Sequence, residues 1–427
     1  MREDFLHFIW KYKKIRTAPL VSSQNETIEI LSEGTHNHLS GPDFFNARIK
    51  INEQLWAGNV EIHIKSSDWY AHGHESDPNY DNVILHVVWD DDVAIFRKDN
   101  TQISTLELKA YVSKEVFEAY QKLFEARTNR FINCQNDITS VNDFVFKNWL
   151  ERLFFERLEQ KSNAVAELLV RHNNDWEQVL FSLLVKNFGL KINGESFQSL
   201  SESLPFSIVR KIGDSALQLE ATFFGMAGFL ESDEISDAYY LHLRKEYQFI
   251  EHKFKLNNQA VQKPEFFKLR PSNFPTLRLS QIANLYSKNQ NLFHKIIDAQ
   301  SLDVIYDLFN VQASAYWNSH FTFGKESKKS SKKLTKNFIE LLLINTILPL
   351  KFEYAKHFNT AEEASIVAIV AGIKNERNSI IDNFLSLGVG ISNAMESQAV
   401  LQLYNNYCSK NNCLHCAVGH HLLKGNT

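Results

Sequence analysis

Along the first ~115 residues, apolar and polar side chains alternate in short runs rich in Val, Ile and Thr. The alternation predicts strands over Thr27–Leu31, Asn46–Ile51, Asn59–Lys65, Asn82–Trp89, Val93–Arg97 and Ser104–Leu108, behind a short amphipathic helix over Glu3–Lys14. Turn clusters such as Ser40-Gly41-Pro42, Ala57-Gly58-Asn59 and Asp99-Asn100 separate the runs. From about Ser113 the period changes to that of a helix. Apolar stripes then predict helices over 114–126, 143–170, 175–188, 206–229, 237–254, 280–293, 302–309, 334–350, 361–372 and 397–407. The expected fold class is α+β: a mixed-sheet domain over 1–125, followed by a large all-α region over 126–427.

Composition narrows this picture in a few respects. A chain of 427 residues that is 44% hydrophobic and 22% charged can bury a large core. With 15 glycines and 8 prolines it is not a collagen-like or turn-rich repeat. The net charge of −4 gives no uniformly basic surface. The longest apolar runs, 338–350 and 364–373, fall short of the roughly 20 residues that span a bilayer. The amino terminus lacks a secretory pattern. Four cysteines in so long a chain do not make a disulfide framework, so the expected location is the cytoplasm.

Distribution tells more than totals. Six of the 16 histidines (36, 38, 63, 72, 74 and 86) crowd into residues 36–86 with Asp43, Glu61, Asp68, Asp77 and Asp81. Such a concentration of carboxylates and imidazoles around short strands is what a divalent-metal site requires. In Val60-Glu61-Ile62-His63-Ile64-Lys65 the two-residue period places Glu61, His63 and Lys65 on one strand face and the aliphatic residues on the core face. Upstream, Gly41-Pro42-Asp43-Phe44 sets an aspartate at the kinked entrance of the preceding strand.

An aspartate after proline opening one strand, then E-x-H on the next, resembles the PD-(D/E)xK nuclease superfamily. The resemblance implies that Asp43 and Glu61 are ligands of Mg²⁺ or Mn²⁺. His63 stands where a lysine would position the attacking water, and Lys65 is one same-face step further on. An initial helix bearing Glu3 and a short helix near 67–72 fit the same element order, and Glu107-Leu108-Lys109 is a second E-x-K. More broadly, the strings GPDFFNARIKI, GNVEIHIKSSDWYAHGH, LHVVW, LRPSNFPTLRLSQIA and YCSKNNCLHC resemble those of an uncharacterised bacterial family, a domain of unknown function, which implies boundaries and no activity. His72-Gly73-His74 with Asp77 is a rival nucleus, vaguely like metallo-β-lactamase-type loops. Beside a nuclease-like cleft, His72 and His74 become accessory residues. His86, alternating with apolar neighbours, reads as a core residue.

Three cysteines form C-x4-C-x2-C (Cys408, Cys413, Cys416), and Cys134 stands alone near the junction of the two regions. Zinc and an iron–sulfur cluster both use such spacings, and His415, His420 or His421 could supply a nitrogen. An upstream cysteine with a carboxyl-terminal trio resembles the iron–sulfur staple of some nucleases of that superfamily. Six lysines in 324–336 suit contact with a phosphate backbone. Arg270 and Arg278, spaced around prolines, suit either a grip on phosphate or a tie within the fold. The leading expectation is a metal-dependent nuclease acting on DNA or RNA. The alternatives are a non-catalytic nucleic-acid or protein-binding scaffold with a structural metal, and a His-rich metallohydrolase of a small molecule.

Overall fold

The computed structural model describes residues 1–16, 18–124 and 130–423. It is a mixed α/β protein with an amino-terminal mixed sheet and a large helical part. Two compact units divide it. The first comprises Met1–Trp149, Asp382–Val389 and Leu403–Thr427, so the cysteine trio folds with the sheet. The second comprises Leu150–Ile381 and Gly390–Gln402. The boundary expected at 125/126 lies outside the described residues, as does the expected end of a helix at Ala126. Among the described residues no helix is long and apolar enough to cross a membrane.

In the first unit, helix α1 (Glu3–Lys11) leads into β1 (Leu20–Val21), β2 (Thr27–Ser32), β3 (Thr35–His36), β4 (Phe44–Ile51) and β5 (Gln54–Lys65). A short helix α2 (Asp68–Ala71) and a 3-10 turn at Pro78–Tyr80 then carry the chain to β6 (Val83–Asp90). Strand β7 (Thr105–Glu107) and helix α3 (Lys114–Phe124) follow. The sheet order is β1-β2-β4-β5-β6-β7, with β3 on β4. Pairing is antiparallel as far as β5 and parallel at β5–β6 and β6–β7. Antiparallel neighbours need only tight turns. The β4–β5 hairpin closes between Ile51 and Gln54, with Asn52 in the left-handed region at φ 53°. The parallel step needs a crossover, and residues 66–82 supply it.

β6 (VILHVVWD) is buried on both faces over its first six residues, as a strand inside a parallel sheet should be. Helix α1 buries Phe5, Leu6, Phe8, Ile9 and Trp10 and packs on β5. Phe5 stacks on Tyr120 of α3 at 4.1 Å. The strand expected at 93–97 is a single bridge between Phe96 and Gln102. Asp99-Asn100 turns the chain there, with Asn100 at φ 65°.

The second unit is helical around a phenylalanine-rich core that includes Phe181, Phe188, Phe197, Phe223, Phe224 and Phe309, all fully buried. Its buried Glu220 is satisfied by Trp317 Nε1 (2.9 Å), Tyr239 OH (2.6 Å) and Ser314 Oγ (2.5 Å). The sequence misplaces several features here, among them the helix expected over 280–293, which is two, Pro275–Lys288 and Leu292–Asp298. The expected helix over 206–229 is two, Phe206–Lys211 and Ala216–Met226. Gly213 and Asp214 break it, and Ser215 caps the second by accepting from Gln218 N. A helix over Leu190–Ser203 went unforeseen because its run LKINGESFQSLSES is polar. The helix expected to end at Leu350 reaches Phe358 through a π turn at Leu343–Ile347. The wider turn accommodates the missing N–H of Pro349.

The helices Ala216–Met226 and Ala238–Phe254 approach so closely at Gly225 that a Cβ there would sit 2.2 Å from the Tyr247 ring. Gly225→Ala is expected to cost about 3 kcal/mol or more through overpacking. A urea midpoint within error of wild type would contradict it.

Candidate metal centre

The site is assembled by a β-bulge. Register between β4 and β5 shifts between Phe44 and Ala47, and Asn46 there adopts φ 57°. Such a kink re-aims the neighbouring side chain, and that side chain is Asp43. A reciprocal clasp results: Asp43 N–H donates to Glu61 Oε2 (3.1 Å), while Ile62 N–H donates to Asp43 Oδ2 (3.0 Å). Helix α1 completes this side. Glu3 and His7, one turn apart on one helix face, meet Asp43: His7 Nε2 lies 3.3 Å from Asp43 Oδ2 and 3.8 Å from Glu3 Oε1. Glu3, His7 and Asp43 each offer one donor atom within 4.8 Å of the others.

Glu61 turns its other oxygen towards imidazoles. Oε1 lies 3.4 Å from His63 Nε2 and 3.3 Å from His74 Nε2. His63 Nε2 is 3.1 Å from His72 Nδ1, and His63 Nδ1 is 2.8 Å from His86 Nε2. The ring of His74 stacks on Tyr80 at 3.7 Å, with Trp69 edge-on to it. His36 stacks on Phe44 beside His7.

The face of β5 expected to border an open cleft is therefore covered by the segment from Trp69 to Tyr80. Glu61 is 5% exposed and His63 1%. Burial, reinforced by the neighbouring Asp43 carboxylate, raises the Glu61 carboxyl to about 9. Burial and then Asp43 raise Glu3 as well. At His63, burial and the nearby His74 and His72 depress the imidazole to about 3. Burial also lowers His74 and His86. His7 goes the other way: burial opposes its charge, but the contact with Asp43 outweighs it and the pKa is raised. The arrangement is a cluster of carboxyl groups beside the neutral imidazoles of His63, His74 and His86.

The other candidates fall as follows. Lys65 is exposed at the end of β5, its backbone N–H held by Asp68. Lys109 of the second E-x-K pairs with Asp90 at 2.5 Å. Asp77 caps the turn at Asn79, so His72 and His74 converge with His63 instead of with Asp77. His86, expected as a core residue, is fully buried and supports His63. His7 was missed, although its four-residue spacing from Glu3 was a usable signal. In the second unit Arg270 is exposed. Arg278 is 6% exposed, bonded to Asn273 and Gln281, and lies 3.6 Å over the Phe338 ring, which makes it a tie within the fold. Lys325, Lys328, Lys329, Lys333 and Lys336 are exposed, whereas Lys332 is buried over Phe321.

Cys134, Cys408, Cys413 and Cys416 line one apolar cavity of the first unit, and none is in a disulfide. Burial pushes Cys134 to about 12 and Cys413 to about 11, and raises Cys408 and Cys416. Gly419 lets the last helix close over the trio, since a Cβ there would lie 1.9 Å from the Cys413 carbonyl oxygen. His415 faces another pocket with His7 and His36, and His420 bonds the Leu414 carbonyl.

A family model described as protein of unknown function (DUF2851) matches residues 3–379. The chain belongs to the DUF2851 family. The match takes in α1 and every residue of the carboxylate–imidazole cluster and ends before the cysteine trio of this DUF2851 chain. No curated protein and no solved structure matches it.

Proposed function

We propose that the first unit is a nuclease-like phosphodiesterase dependent on Mg²⁺ or Mn²⁺. The observation that carries the reading is the clasp of Asp43 and Glu61, joined from α1 by Glu3 and His7. Its setting supports the same reading: a helix, antiparallel strands, a crossover and a parallel strand, with the aspartate opening one strand and the glutamate on the next. The donor set fits a hard divalent ion, with carboxylate oxygens from Asp43 and Glu3 and one imidazole from His7 within 4.8 Å of one another, and Glu61 Oε2 beside them accepting from the Asp43 N–H. Such an ion, when bound, neutralises phosphate charge and activates a water. Asp43 and Glu61 hold their geometry through backbone N–H groups, so no rearrangement is needed to present their oxygens. His63 stays neutral and borders Glu61, placed to orient a water. The exposed lysines of 324–336 would add sequence-independent phosphate contacts.

We further propose that the four thiolates hold a structural metal, zinc or an iron–sulfur cluster. Four cysteine sulfurs around one apolar cavity fit either group.

Cleavage of single- and double-stranded DNA and RNA in Mn²⁺, by wild type and Glu61→Ala, tests the main reading. Metal-dependent cleavage lost in the variant is expected. No cleavage of any substrate would favour the scaffold reading. The convergence of His63, His72 and His74 favours, as a second reading, hydrolysis of a small molecule. Turnover of a small phosphodiester but of no polynucleotide would select that reading.

A further inference from the structure

We infer that His63 Nε2, His72 Nδ1 and His74 Nε2, with Glu61 Oε1, form a second cation site, selective for a first-row transition metal such as Zn²⁺, Co²⁺ or Mn²⁺. One ring nitrogen of each histidine lies within 4.8 Å of the others; His63 Nε2 and His72 Nδ1 are 3.1 Å apart, and Glu61 Oε1 is 3.4 Å from His63 Nε2 and 3.3 Å from His74 Nε2. Three imidazoles and one carboxylate match the borderline-soft preference of these metals over Mg²⁺. The set belongs to different atoms from the Glu3–His7–Asp43 group and meets it only at Glu61, whose Oε2 faces Asp43 while Oε1 faces the imidazoles.

Two further observations point to a ligand. His74 Nε2 is buried and has no hydrogen-bond partner. The rings are also held from behind as ligating histidines require. His63 Nδ1 is fixed by His86 Nε2 at 2.8 Å, which turns Nε2 towards His72 Nδ1 at 3.1 Å. His74 is clamped between stacking on Tyr80 and the edge of Trp69. His72 is exposed, so an ion can enter from solvent on that side. A metal here supplies positive charge beside Glu61, where the strand carries His63 and no lysine ammonium.

The assignment does not require that the substrate be a nucleic acid, and the test separates the two. Full-length protein stripped with chelator is titrated with Co²⁺ and followed by absorption. Thiolate ligation betrays itself by sulfur-to-metal charge-transfer bands in the near ultraviolet, so the cysteine site is told apart from a site of nitrogen and oxygen donors. The expected result is a set of visible ligand-field bands free of thiolate character. These bands should be retained in Asp43→Asn and lost in His72→Gln/His74→Gln. The single variant His72→Gln changes an exposed residue and keeps the fold. It should weaken Co²⁺ binding at this site at least tenfold. Absence of such bands in wild type overturns the inference, even if Mn²⁺-dependent cleavage is observed. So does a His72→Gln variant that binds as tightly as wild type. Bands present with no cleavage of any substrate would overturn the nuclease reading alone.

Discussion

Glu61→Gln is expected to lower metal-dependent cleavage on the order of 10³-fold and, in the metal-free protein, to raise stability at alkaline pH. The two effects share one cause. Glu61 is 5% exposed and faces the Asp43 carboxylate, so its charge is unwelcome in the folded chain without a cation. Its folded pKa is raised to about 9 from an ordinary 4.5. A carboxyl raised in this way leaves stability intact below its unfolded pKa and takes it away as pH climbs towards the folded value. In chelator, wild type and variant should therefore melt together at pH 4 to 5. They should diverge between pH 5 and 9, with the variant melting several degrees higher at pH 8. The raised pKa of His7, owed chiefly to Asp43, weakens both proteins as pH rises, and the variant lacks only the part of that shift owed to Glu61. Adding Mn²⁺ should restore wild type by mass action and leave Glu61→Gln nearly unmoved. A variant that melts below wild type at every pH in chelator would mean that Glu61 is a stabilising structural acid, and the cation site would lose its main support.

The strand pattern V-E-I-H-I-K and the Pro-Asp entrance before β4 exposed most of the carboxylate side of this site in advance, because a two-residue period and a kinked strand start are local properties. What covers a strand face is not local. Glu61 and His63 were expected beside an open cleft, yet Trp69, His74 and Tyr80 fold back over them. That closure converts a solvated polar face into a buried one and produces the shifted pKa values. His72 and His74 were read either as a rival nucleus with Asp77 or as accessory residues of the Glu61 cleft, and neither reading named His63 of β5, nine residues before His72, as the third imidazole. In the helical part, strong apolar stripes marked most elements. The polar helix Leu190–Ser203 escaped because its few buried positions, among them Phe197 and Leu200, are diluted by Ser, Asn, Gln and Glu. Similarly, spacing marked the cysteine trio, but only the fold could place Cys134 on the same cavity.

Cys134→Ala is expected to release the metal from the four thiols and to destabilise the first unit far more than loss of a buried thiol would. Without a metal, the four cysteines are protonated at neutral pH, and replacing the buried Cys134 by alanine costs on the order of 1 kcal/mol of apolar contact. With a metal, Cys134 and the trio at 408–416 are cross-linked across more than 270 residues of chain. By the loop-closure argument used for disulfides, a link of that span is worth about 5 kcal/mol, and binding to the folded state adds to it. The distinguishing measurement is thermal unfolding of wild type before and after removal of metal, by chelation for zinc or oxidative bleaching for an iron–sulfur cluster, beside Cys134→Ala. If metal holds the thiols, treated wild type falls to the melting temperature of the variant, and the variant no longer responds to treatment. Metal analysis of untreated protein then names the ion, since zinc leaves it colourless and an iron–sulfur cluster colours it brown. Because the thiols must lose their protons to bind, retention should weaken as pH is lowered, most steeply for zinc. If wild type ignores the treatment and Cys134→Ala costs only about 1 kcal/mol, the four residues are buried thiols that pack the carboxyl-terminal segment onto the first unit.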